Sequence, residues 1–184
     1  LVFYYWNREW NAAKMQQLDE FLAKGSGIVS LHSACIGNPD PLALTERIGL
    51  ASESGKTKYL HAPIDLNFVA PTNHPITRGL PDRLFFIDEP YWPLQGDPSK
   101  VNVLASVKLD GKDQPIFWTF EKGKGRVFVS VFGHFTWTWE DPLFQILVLR
   151  GIRWAGGTDI ARLQNLVAIP EPAQAAVSAR TSSQ

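Results

Sequence analysis

The sequence predicts an α/β fold in which a mainly parallel sheet is covered by helices on both faces and continued by an antiparallel extension. Short apolar runs alternate with segments of helical spacing, as in strand–helix–strand units. In addition, two later apolar runs flank the hairpin sequence Gly123-Lys124-Gly125. The 184 residues of the chain suit a single domain of this kind.

The first half of the chain supplies three strands and two helices of the predicted fold. Residues 1–5 form an apolar and aromatic run typical of a buried parallel strand, and residues 10–24 have helical spacing. Residues 28–31 predict a second buried strand, residues 41–50 a short helix and residues 64–69 a third strand. Because a strand is already under way at the first residue, we expect an earlier strand ahead of it.

The second half supplies the antiparallel extension. After a proline-flanked turn at residues 71–75, alternating apolar patterns predict strands at residues 83–87, 101–107, 115–120 and 126–132. The last two of these strands flank the glycine-containing hairpin, so they are expected to pair antiparallel.

A closing helix and a tail follow the last predicted strand. Asp141 can cap free amides and Pro142 suits a first helical turn, so a helix is predicted from there to about Trp154. Beyond it the chain becomes rich in Pro, Ala, Ser and Gln, with too few large apolar groups to repay the entropy of ordering. We therefore expect a folded domain over residues 1–169 and a disordered tail over residues 170–184.

Composition excludes several classes of protein. Eighteen basic residues balance eighteen acidic ones without long blocks of either sign, which disfavours nucleic-acid binding. No apolar run approaches the roughly 18 to 20 residues that cross a bilayer, so no membrane span is expected. The one cysteine, Cys35, cannot form an internal disulfide and is expected to be an inert, small hydrophobic residue. The cellular compartment and the oligomeric state, including a homo-oligomer, stay open.

The sharpest local feature is the sequence Ser30-Leu31-His32-Ser33-Ala34, where a buried strand ends in polar side chains with small neighbours. Small neighbours permit the tight strand-to-helix turn of a nucleophile elbow, which exposes its central residue above the sheet. The central residue here is His32. The alternative is a histidine whose ring only bonds a nearby carbonyl.

A second histidine, His134, follows the last predicted strand. Polar groups at the carboxyl ends of neighbouring parallel strands meet at one edge of the sheet, so His32 and His134 are expected to face one cleft. Three aromatic residues come directly afterwards, and they suit either a core or a stacking wall for a sugar-like ligand. They are Phe135, Trp137 and Trp139.

The loop-rich middle of the chain adds candidates for the same cleft. His61 and Glu89 are the better ones, whereas His74 precedes a proline and is more typical of a fixed turn. His32, His61 and His134 together with a carboxylate could bind a divalent metal such as Zn²⁺, although their spacing matches no known metal motif.

These features together resemble the ThuA-like (trehalose utilisation) family of the class I glutamine amidotransferase-like superfamily. The matching stretches come in the family's order, and the resemblance covers about residues 1–157. They are GIVSLHSA at 27–34, HPITRGLP at 74–81, DEPY at 88–91, PIFW at 115–118, GKGRVF at 123–128, GH at 133–134 and GIRWA at 151–155. The resemblance implies a flavodoxin-like, three-layer α/β sandwich.

The resemblance also implies that glutamine amidotransferase activity is absent. The superfamily places a cysteine at the elbow and a His-x-Glu pair at the end of a later strand. Here His32 stands at the cysteine position, and Thr136 stands at the glutamate position after His134. Thiolate attack on glutamine cannot proceed without these groups.

What the resemblance implies instead is carbohydrate processing, because family members are associated with the use of trehalose and related disaccharides, often beside a sugar dehydrogenase. The expected substrate is an oxidised (3-keto) sugar or glycoside, and the expected reaction is isomerisation, hydration or lyase-type cleavage. His32 and His134 would be base and acid, since imidazole titrates near neutrality, and Glu89 would orient or ligate. Further residues are expected to line the substrate pocket: Ser33, His61, Tyr91, Trp92, Trp118 and Trp137.

Two other interpretations stay open. The first is a noncatalytic carbohydrate-binding or accessory domain that uses the same cleft without turnover. The second is a hydrolase in which Ser33 is the nucleophile and His134 the base, which predicts covalent labelling of Ser33 by a fluorophosphonate.

Overall fold

The structure, a computed structural model, describes residues 1–69 and 74–166 of the chain. The helices are α1 (Ala12–Ala23), α2 (Pro41–Ile48), α3 (Thr136–Glu140), α4 (Pro142–Ala155) and α5 (Ala161–Gln164). The strands are β1 (Val2–Phe3), β2 (Gly27–Leu31), β3 (Lys58–Tyr59), β4 (Ala62–Phe68), β5 (Arg83–Asp88), β6 (Tyr91–Trp92), β7 (Asn102–Leu109), β8 (Lys112–Lys122) and β9 (Gly125–Ser130).

Within the described residues, seven of the strands form one sheet in the order β1-β2-β9-β8-β7-β4-β5. β1, β2 and β9 are parallel to one another, and each later neighbour is antiparallel. The remaining two strands, β3 and β6, form a separate antiparallel pair. The α/β class is thus confirmed, but the antiparallel extension is larger than predicted and the parallel part is limited to three strands.

Helices cover both faces of the parallel part. On one face α1 packs beside α2 and against β9, where a Cβ added to Gly125 would lie 2.6 Å from a methyl carbon of Leu22. On the other face α4 packs against β2 and β9, and a Cβ added to Gly27 would lie 2.1 Å from the Ala155 carbonyl oxygen. The two helical layers and the sheet give the predicted three-layer arrangement.

Local sequence explains where the long helices begin. The Asn11 side chain accepts a hydrogen bond from the Lys14 amide at the start of α1. The Asp141 side chain accepts from the amides of Leu143 and Phe144 at the start of α4, as its position before Pro142 predicts. These side chains satisfy amides that have no partner within the first helical turn.

The sheet curls until its last strand, β5, returns to β9. The rings of Phe86 in β5 and Phe132, just after β9, have centroids 5.8 Å apart. The β7–β8 pairing has register shifts beside Ala105, and such irregularities increase the local twist of a strand. Because β8, β7 and β4 lie between β9 and β5 in the sheet, the contact closes the curl and places the ends of two distant strands together.

Three sequence predictions need correction in detail. The predicted first strand is only Val2–Phe3, and Val2 is half-exposed because β1 pairs with β2 alone in the described sheet. The short pair β3–β6 occupies the middle that was expected to consist of loops. A further short helix, α5, follows the one that was predicted to be last.

The predicted tail at residues 170–184 and most of the predicted turn at residues 71–75 lie outside the described residues. Among the helices of the described residues, none is both long enough and apolar enough to cross a lipid bilayer.

Candidate active site

His32 begins a tight turn at the carboxyl end of β2. Its φ of 52° lies in the left-handed region, and a short 3₁₀ helix, His32–Cys35, starts at this residue. A residue with a Cβ adopts this conformation at a cost of about 1–3 kcal/mol, and such strain concentrates at functional sites. The backbone is therefore that of the predicted elbow, with His32 at its centre.

The hydrogen bond of one ring nitrogen fixes the orientation of the His32 imidazole. Nδ1 lies 2.9 Å from the carbonyl oxygen of Val131. A carbonyl oxygen only accepts hydrogen bonds, so Nδ1 carries a proton and the other ring nitrogen, Nε2, faces the opposite side. The histidine does bond a nearby carbonyl, as the structural alternative proposed, and that bond leaves its second nitrogen available.

Two further side chains meet Nε2 of His32. Nδ1 of His134 lies 3.1 Å away, and Oε2 of Glu89 lies 3.3 Å away. Nδ1 of His134 and Oε2 of Glu89 are themselves 3.2 Å apart. His32 and Glu89 are buried, whereas His134 is exposed at the surface of the site. These three groups converge from the ends of β2, β9 and β5.

Glu89 has further partners on both carboxylate oxygens. Oε1 lies 2.8 Å from Nε2 of His61, and Oε2 accepts a hydrogen bond of 2.9 Å from the Tyr91 hydroxyl. Burial would raise the pKa of the Glu89 carboxyl, but hydrogen bonds from His32, His61 and Tyr91 and the charge of His134 outweigh it and lower the pKa to about 2. Glu89 is therefore an anion held in one orientation.

The register of the antiparallel strands explains how His61 and Tyr91 reach the carboxylate. Ala62 is opposite Asp88 in the β4–β5 pair, which brings the preceding residue, His61, level with Glu89. Tyr91 belongs to β6, and its hydroxyl also lies 3.1 Å from Nε2 of His32. Burial, and then the nearby negative charges, raise the pKa of Tyr91, so its hydroxyl stays protonated.

Asp88 lies beneath this cluster and is completely buried. Its Oδ1 accepts hydrogen bonds from the amides of Glu89, at 2.6 Å, and His134, at 3.0 Å. Its Oδ2 accepts a third bond, of 3.0 Å, from the amide of Gly133. Asp88 therefore joins the end of β5 to the loop after β9.

A cavity of about 510 Å³ opens beside the cluster, within the usual size range of small-molecule sites. Its lining includes His32, Glu89, Tyr91 and His134, together with Ser33. Further around the cavity lie Trp6, Tyr59, the polar segment Ser52–Gly55 and Thr57. The cavity therefore combines titratable groups with exposed aromatic rings, which suits a polar ligand that has apolar faces.

The structure brings together five of the predicted site residues, His32, His61, Glu89, Tyr91 and His134, and places Ser33 on the same cavity. Ser33 forms no hydrogen bond with His134 among the bonds of the described residues. His74 lies elsewhere, with its ring 5.4 Å from that of Trp154, as its interpretation as a turn residue suggested.

Three tryptophans predicted to line the pocket do not line this cavity. Trp118 is completely buried, and its Nε1 donates to the carbonyl of Ile48. Trp92 follows Tyr91 in an extended strand, so its side chain points the opposite way and its Nε1 donates to Asp110. Trp137 is half-exposed and stacks on Phe135 at 4.2 Å between ring centroids.

Sequence reasoning missed several residues at this site, among them Asp88, Trp6, Tyr59 and the polar segment after Ala51. Asp88 directly precedes Glu89 and follows an apolar run, which was the available signal. The aromatic residues Trp6 and Tyr59 lie in segments where nothing in the pattern distinguishes a cavity lining from a surface. Cys35 is not a candidate nucleophile, since burial raises the pKa of its thiol to about 12.

The cluster also has the composition of a metal site. One ligand atom from each of His32, Glu89 and His134 lies within 4.8 Å of the other two. Nitrogen and carboxylate oxygen are the donors that zinc and related divalent ions take. These residues could hold a metal ion. His61, which the sequence suggested as a ligand, contacts the far oxygen of Glu89 instead.

The fold and the site together define a flavodoxin-like α/β protein with a histidine at the centre of the elbow that follows β2. The family model described as ThuA, trehalose utilisation, matches residues 1–155. The chain belongs to the ThuA family, and this membership indicates a carbohydrate-related function.

Solved structures support the fold assignment. A ThuA-like protein from Parabacteroides merdae superimposes with a TM-score of 0.70 at 23% identity, over 85% of this chain and 70% of that one. A ThuA-like protein from Bacteroides uniformis gives a TM-score of 0.66 at 19% identity, over 82% of this chain and 66% of that one. A β-galactosidase from Bacillus circulans gives 0.57 at 13% identity, over 80% of this chain and 21% of that one. No curated protein sequence matches this chain.

Proposed function

We propose that this protein is a carbohydrate-processing enzyme that acts on an oxidised (3-keto) sugar or glycoside by isomerisation, hydration or lyase-type cleavage. The observation that carries the proposal is the convergence of Nε2 of His32, Nδ1 of His134 and Oε2 of Glu89 within 3.3 Å of one another. The convergence lies on a cavity of sufficient size for a sugar, and the family supplies the carbohydrate context.

Isomerisation and lyase-type cleavage of a keto-sugar begin with the same step, which suits a histidine pair. A base removes the proton from the carbon next to the ketone, and the electron pair of that bond moves onto the ketone oxygen. Protonation of the neighbouring carbon then gives an isomer, whereas expulsion of a glycosidic oxygen gives cleavage. Hydration is the reverse of such an elimination, since water adds across the double bond.

The geometry suggests a role for each group. His32, in the form with Nε2 unprotonated, would be the base, because the Val131 carbonyl holds a proton on Nδ1 and directs Nε2 into the cluster. His134, at the exposed side of the cluster, would deliver the proton to the product. Glu89 would hold both rings in place, and the Tyr91 hydroxyl, which stays protonated, would redirect its hydrogen bond from Glu89 to a substrate oxygen.

In a second arrangement the same three residues bind a metal ion that assists the reaction, and the spacing of their ligand atoms is compatible with this. Bonds of about 2.0 Å to a tetrahedral zinc ion place neighbouring ligand atoms about 3.3 Å apart. The three observed separations are 3.1, 3.2 and 3.3 Å. A bound cation would polarise the ketone oxygen of the substrate. The bond from His32 to Val131 would then fix the ligating tautomer, as backbone carbonyls do in many metal sites.

Elemental analysis of protein purified without an affinity tag or chelator separates the two arrangements. The metal-assisted arrangement predicts stoichiometric metal in the wild type and in His74→Ala, and loss of that metal in His32→Ala. His74 is the matched control, because it is the histidine that the structure places away from the cluster. Metal-free wild-type protein, after incubation with Zn²⁺ and dialysis, would reject that arrangement and leave the imidazole pair.

Turnover of a 3-keto-glycoside, followed by product analysis, tests the enzyme proposal itself. We expect His32→Ala and His134→Ala each to lose about 10²- to 10⁴-fold in kcat/KM, the range for removal of a general acid or base, while His74→Ala stays near wild type. Undiminished turnover in both site variants would reject the proposed roles. Saturable sugar binding without any product would instead support an accessory, carbohydrate-binding domain.

A further inference from the structure

The carboxylate of Asp88 lies between the end of β5, which carries Glu89, and the loop after β9, which carries His134. It is fully buried and accepts three backbone hydrogen bonds, of 2.6 to 3.0 Å, from Glu89, Gly133 and His134. A carboxylate removed from water is costly unless donors replace its hydration, and here backbone amides do so. Because all three donors are backbone groups, the carboxylate fixes the path of the chain on both sides of it.

The sheet cannot supply this restraint by itself. His134 follows β9 and Glu89 follows β5, and three strands separate β9 from β5 in the sheet order. Small changes of twist at each intervening pair would accumulate between the two loops. The separation of Nδ1 of His134 and Oε2 of Glu89, 3.2 Å, therefore depends on contacts that cross directly from one loop to the other. Asp88 makes two of them.

We propose that Asp88 is a positioning residue that holds His134 and Glu89 at reaction distance by tying together the two loops that carry them. The inference rests on the proposed function in one respect, namely that His134 and Glu89 take part in the reaction. It makes Asp88, which contacts no part of the cavity, a determinant of how well the cluster binds Zn²⁺ or moves a proton.

Asp88→Asn is the informative variant. An asparagine of the same shape keeps one oxygen acceptor but replaces the other with an N–H₂ donor, which would face an amide N–H. Asp141→Asn is the matched control, because Asp141 also accepts two backbone hydrogen bonds, from Leu143 and Phe144, but caps α4 away from the cluster. Asp141→Asn keeps an oxygen acceptor for both of its amides and is expected to stay near wild type in thermal stability, whereas Asp88→Asn is expected to lose stability and to disturb the site.

The first measurement is independent of metal binding. In metal-free protein, the amide resonances of Glu89, Gly133 and His134 and the ring nitrogen resonances of His32 and His134 are expected to shift in Asp88→Asn and to stay unchanged in Asp141→Asn. Wild-type resonances at all these positions in Asp88→Asn would overturn the inference. Equal shifts in the two variants would overturn it as well, because they would indicate general loosening.

The second measurement is Zn²⁺ affinity by competition with a chelating dye. Asp88→Asn is expected to bind Zn²⁺ about 10- to 100-fold more weakly than the wild type, the usual effect of removing a group that orients metal ligands. Asp141→Asn is expected to keep the wild-type affinity. Undiminished Zn²⁺ affinity in Asp88→Asn would overturn the inference. If the wild type binds no Zn²⁺, the metal-assisted arrangement fails and the resonance shifts alone decide the role of Asp88.

If Asp88→Asn does not fold, hydrogen exchange in the wild type provides the test. The Gly133 and His134 amides lie in a loop and belong to no strand ladder, so strong protection would arise from the Asp88 carboxylate and would support the inference. Exchange at the rate of an open loop would overturn it.

Discussion

The two halves of the sheet contribute to the site in different ways. The parallel half, β1, β2 and β9, is covered by α1 and α4 and delivers His32 and His134 directly at the ends of buried strands. The antiparallel half, β4, β5, β7 and β8, is less covered, and Phe85 and Ile87 of β5 are 61% and 44% exposed. This half delivers Glu89 at the end of β5 and His61 just before β4.

The difference shows that neither half of the sheet forms the cluster of His32, Glu89 and His134 alone. The parallel half brings two imidazoles together by the general rule that strand ends in such sheets meet at one edge. The carboxylate reaches them only because the sheet curls and closes between Phe86 and Phe132. Mutations at this closure should therefore affect the site as much as the stability of the fold.

Breaking the closure is expected to have the largest effect on stability. Phe132 is fully buried and its ring lies 5.8 Å from the rings of both Phe86 and Phe117. Phe132→Ala should lower the free energy of unfolding by about 3–5 kcal/mol, as other buried phenylalanine truncations do. Urea unfolding measures this loss, and Phe85→Ala, which truncates an exposed phenylalanine of β5, should change the free energy of unfolding by less than about 0.5 kcal/mol.

The same variant tests whether the contact between Phe86 and Phe132 positions the site as well as stabilising the fold. If the closure holds the two halves together, Phe132→Ala should also weaken Zn²⁺ binding or turnover under conditions where the protein remains folded. A variant that is destabilised but has a wild-type site would show that the halves are held in register by other contacts.

Much of the fold could be predicted from the sequence, because local patterns of apolar and capping residues specify its buried strands and long helices. β2, β9 and α4 were predicted within two residues at each end, since apolar runs and an Asp-Pro cap specify them. The pair β3–β6 was missed because strands of two residues have no measurable alternation. The extent of antiparallel pairing was missed because pairing depends on contacts between distant segments.

The part of the site that lies directly after buried strands could be predicted from the sequence. His32 and His134 could be paired from sequence because both follow buried strands. Trp118 was misplaced because a tryptophan in a strand has the same appearance whether it faces a pocket or, as here, a helix. Asp88 was missed because its hydrogen bonds to Gly133 and His134 join segments far apart in the chain, and its place after an apolar run was a weak local signal.

A second prediction measures how tightly the parallel half is packed. Gly27 lies where β2 passes α4, and an added Cβ would come within 2.1 Å of the Ala155 carbonyl oxygen. Gly27→Ala must therefore displace α4, and we expect it to lower the free energy of unfolding by about 1–3 kcal/mol, the usual cost of overpacking. Gly156→Ala is the control, because a Cβ there would come no closer than 3.2 Å to a neighbour.

Equal unfolding midpoints in urea for Gly27→Ala and Gly156→Ala would contradict the tight packing of the parallel half. The antiparallel half would then be no looser than its partner, and the exposed side chains of β5 would need another explanation.

The smallest expected effect concerns pH and a second contact between the halves. His74 follows the antiparallel strand β4, and its ring lies 5.4 Å from that of Trp154 in α4. Its Nδ1 accepts a hydrogen bond of 3.2 Å from the Ile76 amide, which requires that nitrogen to be unprotonated. Burial lowers the pKa of His74 to about 4, from an ordinary value of 6.5.

The sign of the effect follows from which state binds the proton. Between pH 6.5 and 4 the unfolded chain is protonated at His74 while the folded protein is not, so stability is lost as the pH falls through this window. We expect the urea midpoint to fall between pH 7.5 and 5.0, and to fall less in His74→Asn, whose side-chain oxygen can accept the same amide bond without titrating. An equal decrease of the urea midpoint in both proteins would show that protonation of His74 does not weaken this contact. The contact between Phe86 and Phe132 would then be the more important one between the two halves of the sheet.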